Sequence, residues 1–194
     1  MNKSSLHFII NPVSGTGKQA KIEDRIAQEI DSLKFDTFIH YTGSKGHATE
    51  IAKQLVAEEA FVVVVVGGDG TVNEVAQALV NSSSILGIIP TGSGNGLARH
   101  LCIPQNVSKA LRLINTLNTK EIDSCTANNQ FFMNVSGVGY DAHISHCFAN
   151  ERKRGMKTYV KLILSEWWTY SVKKYKVCIN NTEVFNGNAV QVSF

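Results

Sequence analysis

The sequence has little proline, 3 in 194 residues, and its 4 cysteines form no Cys-x-x-Cys pair. So few prolines argue against a collagen-like chain, and nothing in the composition fits a disordered chain or a coiled coil. The cysteines (Cys102, Cys125, Cys147, Cys178) lie far apart and predict reduced, mostly buried thiols in a cytoplasmic protein. Long apolar runs are also missing. The longest, Ala60 to Val66, stops at Gly67-Gly68, whereas about 20 residues are needed to cross a bilayer. Leu6 to Ile10, broken by His7, is too short for a signal-peptide core. Charge of one sign is scarce as well: 19 Lys and Arg against 16 Asp and Glu leave +3. A chain that binds nucleic acid by neutralising phosphates would be more basic, so no nucleic-acid partner is expected. No Gly-x-Ser-x-Gly or Cys–His arrangement suggests covalent catalysis.

What is present is a 43% hydrophobic, 18% charged globular sequence, long enough for one full domain and a smaller piece. Its first 125 residues alternate between two periodicities. Leu6–Ile10, Phe35–Tyr41, Phe61–Val66 and Ile85–Ile89 read as strands. Between and after them, Ile22/Ile26/Ile30/Leu33, Ala48/Ile51/Ala52/Leu55/Val56, Val72/Val75/Ala76/Leu79 and Val107/Leu111/Ile114/Leu117 recur at helical spacing. Five consecutive valines behind Phe61 carry no polar alternation, so that strand must be covered on both faces. The fold class expected is a doubly wound, mostly parallel α/β domain over 1–125. From 126 to 194 the pattern becomes β-rich and antiparallel. Strands are expected at Glu121–Cys125, Phe131–Val138, Lys176–Ile179 and Ala189–Phe194. Turns fall at Asn128-Asn129, Asn180-Asn181 and Asn186-Gly187, and one helix spans Lys157 to Ser171. The last strand stops on the apolar Phe194, which reads as an incomplete second domain whose open edge invites self-pairing into a homo-oligomer.

The glycines concentrate after three of the strands. Asn11-Pro12-Val13-Ser14-Gly15-Thr16-Gly17-Lys18, Gly67-Gly68-Asp69-Gly70-Thr71 and Pro90-Thr91-Gly92-Ser93-Gly94-Asn95-Gly96 would all emerge at the carboxyl edge of a parallel sheet. Glycine lets main-chain N–H groups approach a polyanion, and a following helix adds unpaired donors and partial positive charge. Asp69 would repel phosphates unless a cation stood between them, and Mg²⁺ is the natural one. Thr71 can cap the helix or donate to phosphate, while Asn73 and Glu74 are placed in its first turn. One such loop could be an ordinary strand-to-helix turn. Three on one edge point to a phosphate site.

These segments resemble the diacylglycerol kinase catalytic family of lipid kinases, which includes bacterial diacylglycerol kinases and sphingosine kinases. The resemblance rests on Asn-Pro-x-Ser-Gly from Asn11, Gly-Gly-Asp-Gly-Thr-x-Asn-Glu from Gly67, and Pro-x-Gly-Ser-Gly-Asn from Pro90, followed by Ala98-Arg99. It extends more weakly through Asp123 and Asn134 to Asp141. It implies ATP with Mg²⁺ and transfer of the γ-phosphoryl group to a lipid hydroxyl, on a diacylglycerol or a sphingosine-like base. Asn11, Pro12, Val13, Ser14 and Gly15 would border the nucleotide, and Thr42 would touch it. Gly67, Gly68, Asp69, Gly70, Thr71, Val72, Asn73 and Glu74 would cradle phosphates, with Ser93 replacing a common threonine. Asp69, with Asp123, would hold the metal, because Gly96 stands where many bacterial members carry an aspartate.

The same resemblance places the proton acceptor in a late Gly-Glu element. These residues contain no Gly-Glu pair, so the chain is expected to be a fragment that binds nucleotide but turns over poorly alone. Two alternatives stay open: a soluble-substrate kinase of NAD-kinase type, which shares the Asp69 loop, and a non-catalytic nucleotide-binding protein. Residues 151–176 carry eight Lys and Arg against two Glu, beside Trp167, Trp168 and Tyr170. That composition suits peripheral contact with a membrane. A helix whose Val160, Ile163, Leu164 and Trp167 pack inward, with solvated charges outside, is the simpler reading. His143 and His146 are spaced like a metal pair, but without a helix signal or further ligand nearby they are assigned no site.

Overall fold

A computed structural model describes residues 3–14, 21–151 and 156–194. The chain divides into two compact units, Met1–Asn134 and Val135–Phe194. The first unit begins with β1 (Ser4–Ile10), α1 (Ile22–Glu29), β2 (Phe35–Tyr41), α2 (His47–Ala57), β3 (Val62–Gly67), α3 (Asp69–Leu79) and β4 (Ile85–Pro90). Next come α4 (Gly96–His100), α5 (Val107–Ile114), β5 (Cys125–Ala127) and β6 (Gln130–Phe132). The four long strands form one parallel sheet in the order β2-β1-β3-β4.

The valine run behaves as its composition requires. Val62 to Val66 are all buried, because their side chains alternate between two apolar layers. Val62, Val64 and Val66 pack with Ile22 and Ile26 of α1 and with Val107, Ala110 and Leu111 of α5. Val63 and Val65 pack with Ala48, Ala52 and Leu55 of α2, Val72, Val75 and Leu79 of α3, and Leu97 and Ala98 of α4. Helices therefore cover both faces, the doubly wound arrangement. Each fully buried valine contributes on the order of 1.5–3 kcal/mol.

The register aligns the carboxyl ends of the strands. Ile10 pairs with Tyr41 and with Val66, and Val66 with Ile89. After β1 the chain turns to α1 on one face, and after β3 it turns to α3 on the other. The two departures leave a crevice between them, where open α/β sheets bind ligands.

The second unit holds β7 (Gly137–Gly139), α6 (Tyr140–Asn150), α7 (Met156–Glu166), β8 (Lys173–Ile179), β9 (Thr182–Ala189) and β10 (Gln191–Ser193). β10 runs antiparallel to β7, and β8 and β9 form a hairpin. Asn180 and Asn181 close that hairpin at φ 49° and 65°, as Asn128 and Asn129 close β5–β6 at 49° and 63°. Paired left-handed asparagines are what a two-residue hairpin turn selects.

Several expectations need correction. Leu33 lies beyond α1 and is exposed. Residues 118–124 are irregular, so the strand expected at Glu121 begins only at Cys125, and the one expected over Phe131–Val138 splits into β6 and β7. Asn186-Gly187 lies inside β9, since the turn is already made at Asn180-Asn181. The helix expected to reach Ser171 ends at Glu166, and Val160, Leu164 and Trp167 are exposed instead of packed inward. Arg152, Lys153 and Arg154 of the basic stretch lie outside the described residues. Helix α6 was not expected. Its inward stripe of Tyr140, His143/Ile144 and Cys147/Phe148 mixes polar and apolar types, which hides the helical period. The thiols are free but not buried: Cys102, Cys125 and Cys178 are exposed, and Cys147 is half-buried.

Candidate phosphate-binding site

The glycine-rich loops meet at the crevice and are tied together by short polar contacts. Asn11, just past β1, donates its N–H to Val66 O at 3.1 Å. Its Nδ2 donates to Thr71 Oγ1 at 3.0 Å, joining the first loop to α3. Ser14 Oγ donates to Asn11 O at 2.9 Å and lies 3.0 Å from Thr91 Oγ1, joining the first loop to the third. Thr91, fully buried, donates its N–H to Gly67 O at 2.9 Å.

The second and third loops touch main chain to main chain. A Cβ on Gly92 would stand 2.6 Å from Gly68 Cα, and one on Gly68 would stand 3.2 Å from Gly92 Cα. Glycine is required here by close approach. Asn95 holds the third loop from within. It is buried at φ 53°, and its Nδ2 donates to Gly92 O at 2.8 Å and to Gln105 Oε1 at 3.0 Å. Arg99 Nε donates to Gly94 O at 2.9 Å.

Helix α3 starts at Asp69, earlier than its apolar spacing suggests. Gly68 is its N-cap residue, and no side chain caps it. The first N–H groups of any α-helix lack intrahelical partners, and the helix dipole places partial positive charge there. Asp69 and Gly70 are both exposed on this turn. The Asp69 carboxylate hangs over the third loop: Oδ2 would lie 2.9 Å from a Cβ on Gly94, and Oδ1 3.8 Å from one on Gly96. A Cβ on Gly96 would stand only 2.4 Å from Asn134 Nδ2. An amide thus fills the space that a carboxylate at 96 would need.

The other expected site residues fall into distinct places. Pro12 and Val13 are exposed at the mouth, and Gly15 lies outside the described residues. Thr42 is buried at the end of β2, its N–H bonded to Ile10 O at 2.9 Å. Val72 points into the core, so only its backbone faces the loops. Asn73 and Glu74 lie in the second turn of α3, not the first, because the helix begins at Asp69. Asn73 Nδ2 donates to Phe131 O at 3.2 Å, tying α3 to β6, and Glu74 O accepts from Thr49 Oγ1 at 2.9 Å. Ser93 is exposed on the third loop, and Asp123 is exposed in the irregular stretch before β5. Asp69 and Asp123 share no three-ligand cluster among the described residues. Thr91, Asn95, Arg99 and Asn134 were not assigned to the site from the sequence. The available signal was a run of polar residues set between glycines and a buried strand.

Uncapped helix amides, the Ser14 hydroxyl and one rim carboxylate suit a polyanion bridged to a cation. Fold and site together define a doubly wound α/β protein with a candidate phosphate-binding crevice at its topological switch point. Over residues 5–127 the chain matches the diacylglycerol kinase catalytic domain, and it belongs to that family. It is 34% identical over 135 residues to a diacylglycerol kinase of Bacillus subtilis, covering 68% of this chain and 45% of that protein. To a Staphylococcus aureus diacylglycerol kinase it is 30% identical over 142 residues, covering 72% and 45%. The crystal structure of a diacylglycerol kinase from Bacillus anthracis superposes with a TM-score of 0.73 at 28% identity, covering 100% of this chain and 64% of that one. The chain thus spans 45% of the length of each of these two curated relatives.

Proposed function

We propose that the first unit binds the triphosphate of ATP together with Mg²⁺, and that the activity it serves is phosphoryl transfer from ATP to a lipid hydroxyl. One observation carries the reading: three glycine-rich loops, bonded to one another, converge on the uncapped start of α3 beside a single exposed carboxylate. The main-chain N–H groups of Asp69, Gly70 and Thr71 would receive phosphate oxygens. The hydroxyl of Ser14 would line the same crevice. Asn11, Thr91 and Asn95 act as positioning residues that hold the loops at contact distance. Asp69 would hold the divalent ion, whose role when bound is to neutralise and polarise the phosphates. Asp123 is a secondary candidate for the same ion. The β-rich residues from about 126 onward are the part assigned to the lipid.

The names of the bacterial relatives favour diacylglycerol as the acceptor over a soluble one. A lipid acceptor would bring the protein to a membrane surface, and no helix of the described residues is long and apolar enough to cross one. Since these residues contain no Gly-Glu pair, we infer that this chain alone binds nucleotide without efficient turnover.

Labelled ATP, incubated with the full-length protein and either diacylglycerol micelles, sphingosine micelles or NAD, tests the transfer. Label in lipid is expected. Label in NAD alone would establish the soluble-substrate reading. Tight Mg²⁺-ATP binding with no label in any acceptor would favour a non-catalytic binding protein.

A further inference from the structure

In the second unit, three side chains of unlike chemistry meet at one point. His143 and Cys147 stand one turn apart on α6, and Glu166 ends α7. His143 Nε2 lies 2.8 Å from Glu166 Oε2 and 3.6 Å from Cys147 Sγ. All three ligand atoms fall within 4.8 Å of one another, and no other such trio of His, Cys, Asp or Glu occurs among the described residues. Each of the three residues is half-buried, open enough for an ion to enter. The sequence spacing of His143 and His146 carries no site assignment, and the structure sets Cys147 and Glu166 beside His143.

The geometry excludes a nucleophilic relay. In such a relay the thiol and the carboxylate use opposite ring nitrogens of the histidine. Here both face Nε2. A simple His–Glu ion pair explains the 2.8 Å contact but leaves the sulfur at the same nitrogen without a role. A single ion bound by nitrogen, sulfur and oxygen gives the sulfur a role and fits the nitrogen–sulfur spacing, with a shift of the carboxylate oxygen.

We propose that His143, Cys147 and Glu166 form a transition-metal site of the Zn²⁺ class. Thiolate and imidazole together select such an ion over Mg²⁺ or Ca²⁺, which take oxygen ligands. With Zn–S near 2.3 Å and Zn–N near 2.0–2.1 Å, a tetrahedral ion holds sulfur and nitrogen about 3.5 Å apart. The observed spacing is 3.6 Å. The Glu166 oxygen must move outward from Nε2 to reach its own ligand position. Binding releases the Cys147 thiol proton to solvent, and the proton through which Nε2 meets the Glu166 carboxylate leaves that nitrogen by way of solvent, so that the ring keeps its proton on Nδ1 and the Nε2 lone pair is free for the metal. Three protein ligands leave the fourth position to water. The ion would pin α6 to α7, reinforcing the hydrogen bond from Tyr140 OH to Ile163 O. The site holds whether or not the first unit binds a nucleotide.

Titration of the full chain under reducing conditions, with Zn²⁺ against a chromogenic chelator and with Co²⁺ as a spectroscopic stand-in, decides the matter. One equivalent of Co²⁺ should give the visible bands of a tetrahedral ion and a thiolate-to-cobalt charge-transfer band. Cys147→Ser should abolish that band, while Cys178→Ser should leave it intact. His143→Gln and Glu166→Gln keep the thiol and should each weaken Zn²⁺ binding by at least about tenfold. If Cys147→Ser fails to fold, as judged by circular dichroism, these two variants carry the test. A parent protein without the thiolate band, a band that survives in folded Cys147→Ser, or unchanged Zn²⁺ affinity in both glutamine variants would overturn the proposal.

Discussion

Gly70 is the second residue of α3, and a Cβ placed on it meets nothing within 4 Å. Alanine there should help folding and harm binding. In the folded protein the methyl costs no contact, and replacing glycine by alanine in a helix gains about 0.5–1 kcal/mol. For a chain of this length that raises Tm by about 1–4 °C. The same methyl leans toward the helix N-terminus, into the space a phosphate needs in order to reach the first-turn amides. Losing one hydrogen bond to a charged group costs about 1.5–3 kcal/mol, a roughly 10–100-fold rise in Kd for Mg²⁺-ATP. Thermal melts and titration calorimetry on the same preparation read the two effects separately. A raised Tm with unchanged Kd would refute the assignment of phosphate to α3. A lowered Tm would show that the space beside Gly70 is not open.

Gly92→Ala should lose both properties. Its methyl would stand 2.6 Å from Gly68 Cα and 2.8 Å from Asn95 Oδ1, so stability should fall by about 1–3 kcal/mol in denaturant melts, along with nucleotide affinity. Asp69→Asn should lower ATP affinity measured with Mg²⁺ to the level measured in EDTA, while metal-free binding stays equal or tightens; a preserved Mg²⁺ dependence would contradict its role. The His7–His40 pair gives a pH prediction. The rings stack, with Nδ1 of His7 3.2 Å from Nε2 of His40. Burial first, and then the charge of His40, hold His7 below its ordinary value of 6.5; burial does the same to His40, with Glu58 pulling both partly back. The unfolded chain therefore takes up protons that the folded chain does not. This contribution to stability is complete above about pH 6.5 and is lost as pH falls below it. Tm should drop as pH falls below about 6.5, and less steeply in His40→Gln; a flat parent profile would rule the effect out.

Much of the first unit was legible because its signals are local. Five adjacent valines can only be a strand covered on both faces, and a glycine cluster after a strand marks a loop at the sheet edge. The contacts that turn three loops into one site were not legible. Asn11 meets Thr71, and Ser14 meets Thr91, across long stretches of chain, and only the strand register brings them together. The Asn134 amide beside Gly96 is of the same kind. In the second unit the signals were weaker. Helix α6 buries Tyr140 and Ile144 but lines the same face with a histidine and a cysteine, so a reading by hydrophobic period passes over it. The cysteines were expected inside on residue type alone. Cys102 lies in the turn after α4 at φ 57°, while Cys125 and Cys178 lie on two-stranded hairpins that leave a face open.

A strand of identical side chains carries no index of its own position. Sliding β3 by one place would swap its two faces, yet valine would still meet an apolar layer on each side. What marks its position lies at the ends of the run. Gly87 of β4 stands opposite Val64, and a side chain there would strike Val64 Cγ2 at 2.9 Å and Ile114 Cδ1 at 3.0 Å. That notch takes Val64, but any valine of the run would fit it. Phe61 before the strand and Gly67, opposite Pro90, are the residues that a slide would misplace, so where the second loop emerges is decided by the two residues that break the uniform row.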